Sequence, residues 1–143
     1  MILPDVNVLV HAHNSDSAVH GLARRWWDEC LAGSEGIGLA WAVLLGLARI
    51  TTNRRIVGQP WSVADVMARI EAWLGLPHVH VAQPSESHFA RLRRELERLG
   101  TAGNLTTDAH LAVLAMERGY VLHSTDADFA RFPGLRWVNP CKE

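Results

Sequence analysis

Apolar residues along this chain recur in two patterns, short continuous runs and longer stretches with helical spacing. The short runs predict β-strands at 1–5, 36–40, 78–82, 120–124 and 136–139. The longer stretches predict helices at 19–33, 41–53, 62–75, 85–100 and 106–119. A further short helix is predicted in the segment DADFARF, just after the fourth strand. Strands and helices therefore alternate along the whole chain.

This alternation is typical of βαβ units, in which parallel strands are joined by helical crossovers. It predicts an α/β fold of three layers, with a central, mostly parallel sheet flanked by helices. A length of 143 residues, 48% of them hydrophobic, fits a single domain spanning 1–143. We find no repeat and no long linker that would divide it.

Charge and composition exclude several classes of protein. The net charge of −1 indicates no broad basic surface for nucleic acid, although basic residues can act locally. Lys142 is the only lysine, which excludes a Schiff-base lysine or a P-loop in the body of the fold. The sequence contains no apolar run of roughly 18 residues and no basic segment typical of a signal peptide, so we expect a cytoplasmic protein without a membrane span. Cys30 and Cys141 have no ligand-like spacing, and we expect neither a disulfide nor a zinc site.

Three acidic residues fall where strands end or helices begin. Asp5 and Asp126 follow predicted strands, and Asp108 lies in the first turn of a predicted helix. In open α/β sheets these positions face one crevice, the usual ligand site. Carboxylates gathered there repel one another unless a cation is present, and hard divalent cations such as Mg²⁺ prefer oxygen ligands. Asp128 follows two residues later and adds a fourth candidate ligand; the alternative for each acid is a helix cap.

Polar neighbours of these acids are candidate supporting residues. Asn7 is either a turn residue or a donor to the acidic site. Ser124 and Thr125 lack the turn of a serine nucleophile, and we interpret their hydroxyls as donors to a metal-bound water or a phosphate. Arg54 and Arg55 follow a buried helix, where they either complement the helix dipole or contact phosphate.

Two other features suggest chemistry only weakly. The runs HAH at 11–13 and HVH at 78–80 resemble fragments of a zinc site, but no further Cys or His follows at the usual spacing. The six tryptophans lie mostly on helix faces, and we expect core positions for them rather than a platform for stacking bases.

Three segments together resemble a known family. DVNVLV at 5–10, NLTTDAHLAVLAMERG at 104–119 and STDADFARFPGLRWVNP at 124–140 are similar to the PIN domain of VapC-type toxins in order and spacing. The helices HGLARRWWDECL and WAVLLGLARITTN also resemble those of one VapC subgroup. The last two of the three motifs are specific when taken together, whereas DVN alone is not.

The resemblance implies an endoribonuclease that depends on Mg²⁺ or Mn²⁺. It implies a homodimer, inhibited by a small VapB-type antitoxin. Carried over by motif, Asp5, Asp108 and Asp126 are the metal carboxylates and Asp128 a fourth. By the same resemblance, the cleaved RNA would carry a 5′-phosphate and a 3′-hydroxyl.

One departure from the family pattern leaves alternatives open. PIN domains commonly carry a glutamate in the helix after the second strand, but no acid occurs here between Glu35 and Asp65. Glu117 lies about two and a half helical turns from Asp108, too far to reach the same ion. The alternatives are a site that binds metal more weakly, uses one ion instead of two or uses Asp128. A further alternative is a PIN-fold module that binds RNA or an antitoxin but cuts poorly. A phosphohydrolase with Asp5 as nucleophile is a weaker alternative, because it needs a lysine beside the phosphate.

Overall fold

Five short strands form a single sheet in this computed structural model, which describes residues 1–142. They are β1 (Ile2–Pro4), β2 (Ile37–Ala40), β3 (Val79–Ala82), β4 (Val121–His123) and β5 (Trp137–Val138). Their order across the sheet is β3-β2-β1-β4-β5, and every neighbouring pair is parallel. The carboxyl ends of all five strands therefore meet at one edge, as the predicted parallel sheet requires.

Helices flank the sheet and complete the three-layer α/β fold predicted from the sequence. They are α1 (Val6–His13), α2 (His20–Ala32), α3 (Trp41–Thr51), α4 (Val63–Leu74), α5 (His88–Leu99) and α6 (Thr106–Arg118). Two 3₁₀ segments, Gly103–Leu105 and Ala127–Arg131, precede α6 and β5. All five predicted long helices are confirmed with small differences at their ends, and the predicted short helix is the second 3₁₀ segment.

Helix α1 is an α-helix that the sequence pattern did not predict, and the 3₁₀ segment Gly103–Leu105 was not predicted either. Three of the first residues of α1 are the β-branched Val6, Val8 and Val10, which have low helix propensity. Tertiary contacts override this preference. The Asp5 carboxylate accepts a 2.7 Å hydrogen bond from the Val6 N–H and so caps the helix, while Val8 and Leu9 are fully buried on its inner side. The chain therefore turns away from the sheet directly after β1.

The core lies on both faces of the central strands. Leu3, Leu39 and Leu122, one from each of the three middle strands, are fully buried. Truncation of such a leucine to alanine costs about 2–5 kcal/mol of stability. A β-carbon added at Gly46 of α3 would lie 3.2 Å from Cγ2 of Val6, so α3 packs closely against the start of α1. This packing holds two helices that begin at the carboxyl edge of the sheet.

Most tryptophans occupy the predicted core, with one exception. Trp27 and Trp73 are buried and meet edge to face at 5.2 Å. Trp41, the first residue of α3, is 54% exposed, which contradicts the expectation of a core position for it. The hydrophobic pattern of α3 did not reveal this, because a residue in the first turn of a helix can point past the end of the packed layer.

The two HxH runs are structural. His13 donates a 2.6 Å hydrogen bond from Nδ1 to the Leu9 carbonyl and packs edge-on against Trp61. His80 bonds the hydroxyl of Tyr120 at 2.6 Å. Within residues 1–142, the only group of three acidic, histidine or cysteine side chains close enough to share an ion contains no histidine. Both cysteines in this part of the chain are free thiols, and no described helix is long and apolar enough to cross a membrane.

Candidate metal centre

Acidic side chains converge at the carboxyl edge of the sheet. Asp108, in the first turn of α6, meets Asp126 and Asp128, which follow β4. Each of these three residues offers a carboxylate oxygen, and the three oxygens lie within 4.8 Å of one another. Asp5 follows the neighbouring strand β1 at the same edge. The topology therefore brings together the four carboxylates that the sequence placed at strand ends and a helix start.

Asp5 is the most buried of the four, with 6% of its surface exposed. Its Oδ1 accepts the hydrogen bond from Val6 that caps α1. Its Oδ2 accepts a 2.8 Å bond from the Ser124 hydroxyl and a 3.2 Å bond from Nδ2 of Asn7. A buried carboxylate with three donors is held in one orientation, and its charged form is stabilised by those donors.

Ser124 connects the two strand ends. Its hydroxyl donates to Asp5, and its oxygen accepts from Nδ2 of Asn7 at 3.1 Å and from the Asp126 N–H at 3.0 Å. The backbone N–H of Thr125 donates to Oδ1 of Asn7 at 3.3 Å. Ser124 and Asn7 therefore orient the site by donating to the Asp5 carboxylate, whereas we expected the serine hydroxyl to face a bound water or a phosphate.

Asp126 combines the two roles that the sequence left open. Its Oδ1 accepts a 2.9 Å hydrogen bond from the Asp128 N–H, which caps the 3₁₀ segment after β4. Its carboxylate nevertheless lies in the cluster with Asp108 and Asp128. The cap uses one oxygen and leaves the second free to act as a ligand. Asp128 is more exposed and lies at the outer side of the cluster.

Burial and like charge perturb the site. Burial is the main cause that raises the pKa of Asp108 to about 6, and the negative charges of Asp126, Asp5 and Asp128 raise it further. Burial also raises the pKa of Asp5, although the hydrogen bonds from Ser124 and Val6 oppose that rise. The cluster is therefore strained by charge repulsion at neutral pH, and a cation would relieve it.

The donor set fits a hard divalent cation. The clustered side chains offer only carboxylate oxygens, which are the ligands that Mg²⁺, Mn²⁺ and Ca²⁺ prefer. Three of these oxygens are close enough to face one ion, and their mutual repulsion favours cation binding over the empty site. Asp5 lies behind them, linked to Asp126 through Ser124.

Other candidate residues lie elsewhere. Arg54 and Arg55 are exposed in the turn after α3, and α3 begins at the acidic edge. The 11 residues of α3 separate the two by about 16 Å along the helix axis, so the structure does not bring these arginines to the carboxylates. Glu117 is also remote: its side chain bonds Ser85 and His88 between α5 and α6.

The sequence relatives agree with this arrangement. The PIN domain family matches residues 2–135. Ribonuclease VapC33 of Mycobacterium tuberculosis is 38% identical over 143 residues, which cover 100% of both chains. The chain belongs to the VapC ribonuclease family of PIN-domain proteins. Ribonuclease VapC37 of the same organism is 37% identical over 140 residues, covering 98% of this chain and 97% of the relative. The resemblance predicted from the three motifs is thus confirmed.

Solved structures show the same fold. The toxin–antitoxin complex VapBC2 of Rickettsia felis, bound to a DNA fragment from its promoter, gives a TM-score of 0.67 at 19% identity, covering 97% of this chain and 98% of that one. Mycobacterium tuberculosis VapC20 gives a TM-score of 0.64 at 19% identity, covering 95% of this chain and 99% of that one. This VapC-family chain differs from the usual PIN pattern in α3, because residues 41–51 contain no acid.

Proposed function

We propose that this VapC-family chain works as one PIN domain and is a Mg²⁺-dependent endoribonuclease, the toxin of a VapBC-type pair. The observation that carries the proposal is the convergence of Asp5, Asp108, Asp126 and Asp128 at one edge of the sheet. Full-length relatives named ribonucleases support the same activity. RNA as a substrate also implies action in the cytoplasm.

The clustered carboxylates would hold the ion, with Mn²⁺ able to replace Mg²⁺. A divalent ion at such a site lowers the pKa of bound water and stabilises charge on a phosphoryl group. Asp108 and Asp126 provide ligand oxygens, and Asp128 supplies the carboxylate that the missing glutamate of α3 would otherwise add. Asp5 contributes a fixed negative charge behind them. Ser124 and Asn7 are positioning residues, because their hydrogen bonds orient the Asp5 carboxylate, and the bond from Ser124 opposes the rise of its pKa.

The substrate class follows from access to the site. The carboxylates lie on an open edge of the sheet, where a single strand or a loop of RNA can present its backbone. Unstacked bases of such RNA are readable by side chains. One structural relative, VapC20, is described as a toxin that cleaves the sarcin–ricin loop, and we propose loop RNA as the substrate class here too. Arg54 and Arg55 stay candidates for contacts with more distant phosphates.

Two protein partners are proposed as well. Structural relatives are solved as VapBC complexes, which favours a VapB-type antitoxin as the inhibitor of this chain. A homodimer is supported by α5, where Phe89 is 70% exposed beside the half-buried Leu92 and Leu96. Arg93 and Glu97 border this face with opposite charges. These two charges already pair with each other on the helix, so the apolar residues of this face would carry an isologous contact with a second copy.

A second function, a PIN-fold module that binds RNA or an antitoxin but cuts poorly, is favoured by one observation. Helix α3 supplies no carboxylate to the site, so one usual ligand is missing. An Asp5-nucleophile phosphohydrolase is not supported, because both oxygens of Asp5 accept hydrogen bonds and face a serine, an asparagine and a helix N-terminus.

A cleavage assay separates these functions. Wild type and Asp126→Asn are incubated with structured RNAs in Mg²⁺, Mn²⁺ or EDTA. We expect wild type to cut only with a divalent ion and to leave 5′-phosphate ends, and Asp126→Asn to be slower by at least about 100-fold. Glu71→Gln, an exposed change on α4, is the matched control and should cut like wild type. If wild type binds RNA but cuts it with neither Mg²⁺ nor Mn²⁺, the chain is a binding module and not a nuclease.

A further inference from the structure

Trp41 is exposed to an unusual degree for its residue type. The other five tryptophans are buried or half-buried, whereas 54% of Trp41 is exposed. Four of those five make aromatic contacts or a cation–π contact, and Trp137 donates its indole N–H to the Ser124 carbonyl. Among the described residues Trp41 has no aromatic partner and no hydrogen bond at its indole nitrogen. Nothing within this part of the chain explains a large aromatic ring at this position.

The register of the sheet places Trp41 beside the acidic site. Ile2 of β1 pairs with Ile37 of the parallel strand β2. Continued along both strands, this register sets Asp5 level with Ala40, the residue before Trp41. Trp41 is therefore the first residue to leave the sheet next to the strand end that carries Asp5. The exposed surface of Trp41 therefore lies at the carboxyl edge of the sheet, where the acidic residues also lie.

The start of α3 is compatible with a phosphate chain. No side chain caps this helix, and no acidic residue lies in its first turn. Its unpaired N–H groups and the positive end of the helix dipole face the sheet edge. Helix α3 contains no acidic residue, so no negative charge of the same helix lies beside the Trp41 ring.

We infer that Trp41 is a specificity-determining residue that stacks on an RNA base next to the phosphate held at the acidic site. The inference rests on RNA being the substrate, as proposed above. Stacking is tolerant of sequence, because every base has an aromatic face, and it fixes the register of a single strand relative to the carboxylates. An aromatic residue at the site edge thus selects unpaired nucleotides over duplex RNA, whose bases are covered.

The alternative for this surface is contact with a protein. Leu45 lies one turn along α3 and is 66% exposed, so the two residues could form an apolar stripe for a partner helix. RNA is favoured because Trp41 lies at the end of the stripe nearest to Asp5, where a nucleotide beside the cleaved bond must be. Leu45 lies farther from that edge and serves as the matched control.

Affinity for two RNA probes tests the inference. Wild type, Trp41→Ala, Trp41→Phe and Leu45→Ala are titrated with a 12-nucleotide oligoadenylate and with an abasic ribose-phosphate strand of the same length. Ca²⁺ is present, because the carboxylates need a cation to hold a phosphate, and gel electrophoresis verifies that the strands stay uncut. Loss of one stacked base weakens binding roughly 5- to 150-fold. We expect Trp41→Ala to show this loss with oligoadenylate and none with the abasic strand. Trp41→Phe should recover most of the affinity, and Leu45→Ala should match wild type.

Other outcomes overturn the inference. If Trp41→Ala binds both strands more weakly by the same factor, Trp41 affects binding of the RNA backbone and not of a base. If its affinity for oligoadenylate is unchanged, Trp41 does not stack on a base. A change of oligomeric mass in both Trp41→Ala and Leu45→Ala, with unchanged RNA affinity, would assign the stripe to a protein. Circular dichroism and thermal melting verify that each variant is folded. If wild type cuts no RNA but Trp41→Ala binds oligoadenylate more weakly, the nuclease proposal fails and the stacking inference stands. If wild type cuts RNA but Trp41→Ala binds both strands as wild type does, the stacking inference fails and the nuclease proposal stands.

Discussion

The hydroxyl of Ser124 donates a 2.8 Å hydrogen bond to Oδ2 of Asp5, joining residues 119 positions apart in the chain. Both side chains are buried, at 0% and 6% exposure. The bond ties the end of β4 to the end of β1. It is also one of three hydrogen bonds to the Asp5 carboxylate, and together with the bond from Val6 it opposes the rise of the Asp5 pKa that burial causes.

Removal of that hydroxyl should affect both stability and activity. In Ser124→Ala the Asp5 carboxylate loses a donor while it stays buried, and an incompletely satisfied buried group costs about 1–3 kcal/mol. We expect a lower free energy of unfolding in urea and slower RNA cleavage, with the loss of activity greatest at acidic pH, where Asp5 protonates more easily. Ser34→Ala, at an exposed serine, is the control. Unchanged stability in Ser124→Ala would mean that water replaces the hydroxyl without cost.

Two isosteric substitutions on α6, Asp108→Asn and Glu117→Gln, distinguish an acidic residue that binds metal from one that stabilises the fold. Asp108→Asn removes one of the repelling charges, so in EDTA it should unfold at a higher temperature than wild type. The addition of Mg²⁺ should then stabilise this variant only slightly. Wild type, saturated with an ion at about 100 times its dissociation constant, gains about 2.7 kcal/mol.

Glu117→Gln is expected to behave in the opposite way. The Glu117 side chain is 2% exposed and accepts hydrogen bonds from Ser85 and His88, so the change should lower the melting temperature. Mg²⁺ should stabilise this variant as much as it stabilises wild type, because the Glu117 side chain does not reach the carboxylate cluster. Differential scanning calorimetry with and without Mg²⁺ measures both effects. Equal Mg²⁺ responses in the two variants would contradict Asp108 as a ligand.

A fall in pH should reduce the stability that two buried histidines contribute to the fold. Burial lowers the pKa of His123 to about 4, and this ring stacks on Trp26 with its Nδ1 lacking a hydrogen-bond partner among the described residues. Burial likewise lowers the pKa of His13 to about 4. At these two rings the unfolded chain binds more protons than the folded one between pH 6.5 and 4, so the stability that they contribute falls as the pH falls. The raised pKa of Asp108 acts in the opposite direction in this interval.

The variant His123→Phe keeps an aromatic ring against Trp26 and cannot be protonated. Its melting temperature should drop less than that of wild type when the pH is lowered from 6.5 to 5, while the remaining drop reports His13 and the other titrating groups. Thermal melts across this interval, in EDTA, measure the difference. Parallel curves for the two proteins would show that His123 is protonated without cost in the folded state.

The proposed dimer face can be tested at Phe89. Phe89→Ser replaces a ring that is 70% exposed in the first turn of α5. We expect light scattering after size exclusion to give half the wild-type mass, with an unchanged circular dichroism spectrum. Val63→Ser changes an apolar residue of similar exposure, 67%, on α4 and should leave the mass as in wild type. A Phe89→Ser protein that keeps the wild-type mass would place any self-association elsewhere.

Local pattern was sufficient for most of the fold. The long helices and all strands follow from hydrophobic periodicity with serine and glycine at helix ends, because these signals are short-range. Helix α1 escaped prediction because its valines favour a strand, and only capping by Asp5 and burial of Leu9 make it a helix. A preference of a few tenths of a kcal/mol per residue yields to such contacts.

The sequence by itself determined the parallel α/β class, the family motifs and the acids that follow strands. Tertiary structure decided which groups meet. It gathered Asp108, Asp126 and Asp128, set Ser124 against Asp5, and left Arg54 and Arg55 at the far end of α3. It also exposed Trp41 at the sheet edge. These facts depend on strand order and on which face of each helix packs, and residues far apart in the chain set both of these through contacts that no local pattern encodes.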